Sequence, residues 1–207
     1  MDSPDILFIS RSFNPEDPVS DHIKRVSEEL GERDGGGAVV CFGEDEKVEE
    51  KGPLTVYRVE FPLDGDTLFS WGMLINIPFI RKVRELFSDS RFDAVHGHNW
   101  EAIPAMNTVS EIYGIPAFLT FHSVEGMEDW EKADAISRIE RDGVRRSDAT
   151  VAVSEEVLSG LEAYGIEDQK VQVITRPEKT LELYEDFNPE VEQYREGTDA
   201  YMGVPSE

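Results

Sequence analysis

Cysteine is almost absent from this chain: Cys41 is the only one in 207 residues. A lone thiol excludes an internal disulfide and any cysteine-based metal cluster. Its place in Ala38-Val39-Val40-Cys41-Phe42 marks it as a small buried strand residue. Long hydrophobic runs are missing as well. Apolar residues make up 39% of the chain, yet no run approaches the ~20 residues needed to span a bilayer. The acidic opening Met1-Asp2-Ser3-Pro4-Asp5 lacks the basic stretch and longer apolar core of a secretory signal. A soluble cytoplasmic protein is expected. Positive charge is scarce: 20 Lys and Arg stand against 44 Asp and Glu, a net charge of −24. That balance argues against nucleic acid, which needs a basic footprint, and against anionic membrane surfaces. The acids are dispersed rather than gathered in one tail, as on a whole surface adapted to its solvent. Such self-repulsion is tolerable in molar salt, where the screening length falls to ~3 Å. A halophilic host with a salt-filled cytoplasm is expected; full stability in dilute buffer would remove the support for it.

Short apolar runs alternate with longer amphipathic ones. Ile6–Ile9 reads as a first strand, followed by a polar loop from Ser10 to Pro18. Val19 to Arg33 carries Ile23, Val26 and Leu30 at helical spacing. Asp34-Gly35-Gly36-Gly37 ends that helix, and Ala38 to Phe42 supplies a second strand. Gly43 to Pro53 reads as a charged loop and Leu54 to Phe61 as a third strand. Leu68 to Ser90 is a helical stretch that Pro78 should break or kink. Asp93 to His96 gives a fourth strand, Glu101 to Tyr113 a helix stopped by Gly114, and Pro116 to Phe121 a fifth strand. A helix from Asp129 to Arg146, a strand from Ala149 to Val153, a helix from Glu155 to Tyr164 capped by Ser154, and a strand from Val171 to Ile174 complete the series. Strands separated by helices, with little alternation, predict an α/β, Rossmann-like, mostly parallel sheet with helices on both faces. Such sheets bind ligands beyond the carboxyl ends of their strands. The apolar rhythm fades after Ile174, so residues 1–176 are expected as the domain and 177–207 as an acidic linker or docking tail.

Chemistry concentrates at two strand ends. His96 and His98 alternate onto one face of Asp93-Ala94-Val95-His96-Gly97-His98-Asn99-Trp100, and His122 ends the next strand in Thr120-Phe121-His122-Ser123. Three of the chain's 4 histidines therefore converge on one sheet edge. A His-x-His pair with a third His can bind zinc in an open tetrahedral site. The residues that follow, Asn99 and Trp100, are weak ligands, so no metal is expected, and a zinc hydrolase stands only as a third reading.

These segments, with Gly114-Ile115-Pro116, Arg146-Ser147-Asp148-Ala149-Thr150-Val151-Ala152-Val153-Ser154 and Lys170-Val171-Gln172-Val173-Ile174, resemble a known family. In order and spacing they are similar to the N-terminal domain of retaining GT-B glycosyltransferases of families 4 and 5, which include glycogen and starch synthases. The resemblance covers roughly residues 4 to 176. It implies transfer from a nucleotide sugar to a carbohydrate acceptor with retained configuration, no metal and no cofactor beyond that donor. It places His122 near the transferred sugar, where its surroundings help stabilise an oxocarbenium-like transition state. It places His96, His98, Asn99, Trp100, Thr120 and Ser123 along the acceptor cleft, and Glu140 on a helix facing it. Asn99 stands where the family has Asp.

Two departures shape the functional expectation. Relatives carry a glycine-rich loop after the first strand whose amides meet the donor diphosphate. Here Asn14-Pro15-Glu16-Asp17-Pro18-Val19-Ser20-Asp21-His22 has no glycine, two prolines and three acids before the histidine, with Arg11 the nearby cation left for donor binding. The family's second domain, which holds the basic pair and carboxylates that clamp the nucleotide, is absent from these 207 residues. The chain is thus expected to be inactive alone and to act as one half of a split transferase with a separately encoded C-terminal half. The alternative is a non-catalytic carbohydrate- or protein-binding module.

Overall fold

Apolar runs too short for a helix and flanked by turn residues are satisfied by a sheet covered on both faces, because buried backbone groups must pair. A computed structural model shows that sheet and describes residues 4–61, 65–124, 133–163, 165–166 and 171–184. The strands β1 (Asp5–Ile9), β2 (Gly36–Gly43), β3 (Lys47–Lys51), β4 (Leu54–Glu60), β5 (Ala94–His98), β6 (Ala117–Phe121), β7 (Ala149–Ala152) and β8 (Val171–Val173) join in the order β3-β4-β2-β1-β5-β6-β7-β8. Every pairing is parallel except β3 with β4. The strand order reverses between β1 and β5, the place where open α/β sheets form their crevice.

Helices α1 (Pro18–Gly31), α2 (Leu68–Leu74), α3 (Asn76–Asp89), α4 (Ile103–Tyr113), α5 (Ala133–Arg146) and α6 (Glu155–Ala163) connect the strands. One face of the sheet buries Leu7, Ile9, Val40 and Val95 against Phe79 and Val83 of α3, Met106 of α4 and Ile136 of α5. The other buries Ile6, Phe8, Val39, Ala94 and Phe118 against Ile23, Val26 and Leu30 of α1. Burying one such aliphatic side chain stabilises the fold by ~1.5–3 kcal/mol relative to leaving it in water.

Three sequence expectations change. The charged loop after β2 contains β3, whose residues show no apolar run; the turn at Gly52 (φ 64°) and the Arg58–Glu49 contact at 2.8 Å hold it to β4. Its charges suit an edge strand, where they discourage pairing with another chain. The long helical stretch does break, but at Ile75 rather than at Pro78. A proline ring clashes with the carbonyl four residues earlier, here Leu74, so α2 ends there and Pro78 falls in the first turn of α3, where no N–H partner is needed. Thirdly, Thr180, Leu181, Leu183 and Tyr184 are buried, so the first part of the region expected as an acidic linker or docking tail packs on the domain. A 3-10 turn (Pro177–Lys179) leads into helical residues 180–184, which cover Phe118, Ala149 and Val151 beside α1. Residues 185–207 lie outside the described residues, as do residues 125–132, which include the start of the helix expected from Asp129.

Candidate functional site

The parallel register sets the site. β1, β5 and β6 align Phe8 with His96, His96 with Phe118, and His98 with Thr120. Alternation sends Phe8, His96, His98, Phe118 and Thr120 to the face under α1. The rings then form one layer: His96 stacks on His98 with centroids 4.4 Å apart, and His98 lies 5.4 Å from His122. His98 Nδ1 and His122 Nε2 share a hydrogen bond of 3.1 Å. The three histidines picked out in the sequence are brought together. A fourth, His22 of α1, joins them edge-on, 5.5 Å from His98 and 5.0 Å from His122. Sequence reading placed His22 within the helix from Val19 to Arg33 but took only Ile23, Val26 and Leu30 as its buried stripe. Its spacing of four from Val26 was the available signal, since residues that far apart share a helix face.

Burial divides the candidate residues into two groups. His96 and Thr120 are fully buried and His98 is 1% exposed, so none of these three offers surface to a cleft. His96 instead bonds Thr120 Oγ1 through Nε2 at 2.8 Å and the Tyr184 hydroxyl through Nδ1 at 2.5 Å. Trp100 is also fully buried, stacked 6.2 Å from Phe69, with Gly72 of α2 against its indole. A Cβ at Gly72 would come within 2.4 Å of that ring. Trp100, which the resemblance places along the acceptor cleft, is here an anchor that seats α2 on the sheet. Glu140, which the resemblance places on a helix facing the cleft, is fully buried in α5. Asn99, His122 and Ser123 are half-buried and form the accessible rim.

Asn99 adopts φ 59° and ψ 178°, a region essentially reserved for glycine. Such a residue costs on the order of 1–3 kcal/mol and persists only where its surroundings fix it. Here its N–H donates to the Thr120 carbonyl at 2.9 Å, and its Oδ1 accepts from the His122 N–H at 2.7 Å. Asn99 therefore ties the ends of β5 and β6 together and holds the backbone that carries His122. An aspartate could accept the same bond, so the change from the family residue preserves this role.

The loop after β1 is organised by Asp17, the N-cap of α1. Its carboxylate accepts from the Val19 N–H at 3.0 Å, Ser12 Oγ at 2.6 Å and Ser20 Oγ at 3.1 Å. Ser20 Oγ in turn accepts from the Asn14 N–H at 2.8 Å. Amides that a glycine loop would offer to phosphate are thus partly used within the loop. Arg11, the candidate donor cation, is half in solvent and paired at 3.1 Å with buried Glu101. That carboxylate cancels part of its attraction for an anion.

Electrostatically the layer is neutral. Burial, and then His122, pushes His22 down to about 3. Burial lowers His122 to about 4 against an opposing pull from Asp17. His96 and His98 lie well below the usual histidine range, chiefly through burial. Burial disfavours imidazolium, so at neutral pH the rings act as hydrogen-bonding groups without charge. Among the described residues, no group of three or more His, Cys, Asp or Glu side chains is disposed to hold a metal ion. The imidazoles pack against one another rather than around a common point, which gives the zinc reading no geometric support.

A parallel sheet with helices on both faces and a neutral polar rim at its carboxyl edge is the architecture of the N-terminal half of a GT-B glycosyltransferase. The sequence profile of Glycosyltransferase Family 4 matches residues 19–177, and the chain belongs to that family. Alpha-maltose-1-phosphate synthase of Mycolicibacterium smegmatis is 39% identical over 67 residues, 29% of this chain and 17% of that protein. Sucrose-phosphate synthase from Thermosynechococcus elongatus superimposes with a TM-score of 0.70 at 14% identity, covering 83% of this chain and 47% of that one. A shorter form of the same enzyme gives 0.67 at 11% identity, covering 90% and 98%. Anabaena HepE in complex with UDP and glucose gives 0.57 at 16% identity, covering 83% and 44%. At these identities the structural likeness is one of fold. The chain spans about half the length of the full synthase and HepE chains. Among the described residues no helix is long and apolar enough to cross a membrane.

Proposed function

We propose that this chain is the sugar-binding half of a Family 4 glycosyltransferase and performs no transfer by itself. The observation that carries the reading is the His98–His122 hydrogen bond of 3.1 Å, with the backbone of His122 pinned by Asn99. A half-buried neutral imidazole can donate to or accept from a sugar hydroxyl without adding charge. Neutrality also matters in retaining transfer, where positive charge grows on the sugar ring: an imidazolium would oppose it and an imidazole does not. Relatives that make maltose 1-phosphate or hold UDP and glucose point to a glucosyl ligand.

The donor diphosphate needs cations and free amides, and this half supplies few. Asp17 occupies the cap of α1 and Arg11 is paired with Glu101. Transfer then requires a second half that grips the nucleotide; in the split-enzyme reading that half is a separate polypeptide. A specific observation favours a second reading, a carbohydrate-binding module without catalysis: Glu16 and Asp17 stand in the loop where phosphate would be cradled.

Titration of histidine-labelled protein with glucose, maltose, UDP and UDP-glucose tests the proposal. Glucose and maltose should move the His122 ring signals, and UDP-glucose should bind no more tightly than glucose. Binding of UDP-glucose tenfold tighter than glucose would show that this half grips the diphosphate. Silence of His122 toward every sugar would remove the sugar site. Turnover that appears only with an added nucleotide-binding half would decide for the split enzyme over the module.

A further inference from the structure

We infer that Tyr184, from the segment packed behind the sheet, is a positioning residue for the histidine site: its hydroxyl sets the protonation pattern of the imidazoles from His96 outward to His122. The consequence for ligands rests on the sugar-site proposal, whereas the proton pattern does not.

Tyr184, His96 and Thr120 are 3%, 0% and 0% exposed, so water does not satisfy their polar atoms. The Tyr184 hydroxyl lies 2.5 Å from His96 Nδ1, and Thr120 Oγ1 lies 2.8 Å from His96 Nε2. A neutral imidazole carries one N–H, so one of its nitrogens donates and the other accepts. If Tyr184 donates to Nδ1, the proton of His96 sits on Nε2 and points at Thr120 Oγ1. The reverse arrangement leaves the phenol proton with no acceptor in a dry site. Either arrangement strands one hydroxyl proton. The phenol is the more acidic and the better donor, so its proton is the costlier to strand. Tyr184 therefore fixes His96 as the Nε2–H form.

That choice propagates through contact. The His96 ring lies 4.4 Å from the His98 ring, at 26° between planes. His98 Nδ1 and His122 Nε2 share one proton across 3.1 Å. When His98 donates, the proton of His122 sits on Nδ1, which then offers a donor. When His122 donates, Nδ1 is a bare acceptor. A fixed dipole on His96, close and poorly screened, favours one of these two states. The nitrogen that a sugar hydroxyl would meet is thus tuned from behind, by a residue distant in sequence.

Tyr184→Phe keeps the ring against Phe118, 4.9 Å away, and removes only the hydroxyl. Long-range ¹H–¹⁵N spectra of the four histidines at pH 7 read the protonation pattern directly and require no sugar. Wild type should show a protonated Nε2 and a bare Nδ1 at His96. In Tyr184→Phe the His96 signals should move toward averaged values, the His122 nitrogens should shift, and maltose affinity should fall about fivefold, the effect of one neutral hydrogen bond. Leu181→Ala loosens the same segment without touching His96 and should leave both histidines unchanged. Unchanged His122 nitrogens in Tyr184→Phe, or equal shifts in Leu181→Ala, would overturn the inference. If Tyr184→Phe does not fold, Thr120→Val probes His96 from its other nitrogen: shifted His122 signals support the coupling and unshifted ones overturn it. Failure of maltose to bind wild type would remove the sugar site while leaving the spectral result standing.

Discussion

The histidine layer under α1 and the loop from Ser10 to Asp17 above it meet at one rim, yet they are held by opposite means. The layer is dry: three of its four rings are 4% exposed or less, and packing keeps it uncharged. The loop is wet and charged, fixed by one carboxylate with three donors and by an ion pair that is half in solvent on the arginine side. A dry neutral layer suits hydroxyl groups. A wet acidic loop repels phosphate. One side of the rim is therefore held by packing and the other by local capping. Packing is harder to remove than capping, and the consequences of substitution should follow that order.

The largest effect should come from His98→Ala. Its ring is stacked on His96, edge-on to His22 and bonded to His122, so truncation leaves a cavity and frees His122 together. Large-to-small changes in packed cores cost about 2–5 kcal/mol. Urea unfolding should show a loss of about 2–4 kcal/mol, and sugars should no longer move the His122 signals. A loss as small as that of an exposed cap would erase the distinction between layer and loop.

Acid should come next. His22 and His122 fall to about 3 and about 4 in the folded chain, from an ordinary value of 6.5. Because the folded values are lower, the unfolded chain binds more protons below pH ~6.5. Stability is then fully present above that pH and declines as pH falls toward the folded values. Between pH 7 and 5, where most carboxylates remain ionised, His22 should contribute a loss of about 2 kcal/mol, at ~1.4 kcal/mol per unit. His22→Gln, measured by urea unfolding at both pH values, should show a correspondingly shallower decline. Identical pH slopes for wild type and His22→Gln would mean that the layer is not kept neutral by burial.

Much of this contrast was legible in residues. The strand runs, the alternation of His96 and His98, and the His122 strand end fixed the sheet and brought three imidazoles to one edge before any coordinates. His22 was missed because Ile23, Val26 and Leu30 already account for the apolar stripe of its helix, and a polar ring four residues from Val26 reads as solvated until that spacing is weighed. β3 was missed because Lys47-Val48-Glu49-Glu50-Lys51 is held by cross-strand charge rather than by apolar alternation. Tyr184 was missed for a different reason. Its contact with His96 spans 88 residues, and no periodicity encodes which distant side chain will fill a gap in a sheet face. Trp100 was placed along the acceptor cleft by the resemblance, which does not tell a stacked anchor from a sugar platform; the space left by Gly72 shows it packed against α2.

The smallest effect tests the loop. Asp17→Asn keeps an oxygen for the Val19 N–H and removes the charge. Asparagine caps helices about as well as aspartate, so stability should change by less than about 1 kcal/mol. The readout is His122, which Asp17 pulls upward against burial. Without that pull, His122 should titrate at a lower pH than in wild type, followed through its ring signals. UDP-glucose affinity should not rise, because the amides of the loop stay engaged and Arg11 stays paired with Glu101. A marked gain in nucleotide affinity from this one change would show that charge alone, rather than the missing glycine geometry, keeps phosphate out. The loop would then be a gate set by Asp17, and the contrast with the histidine layer would narrow to a single carboxylate.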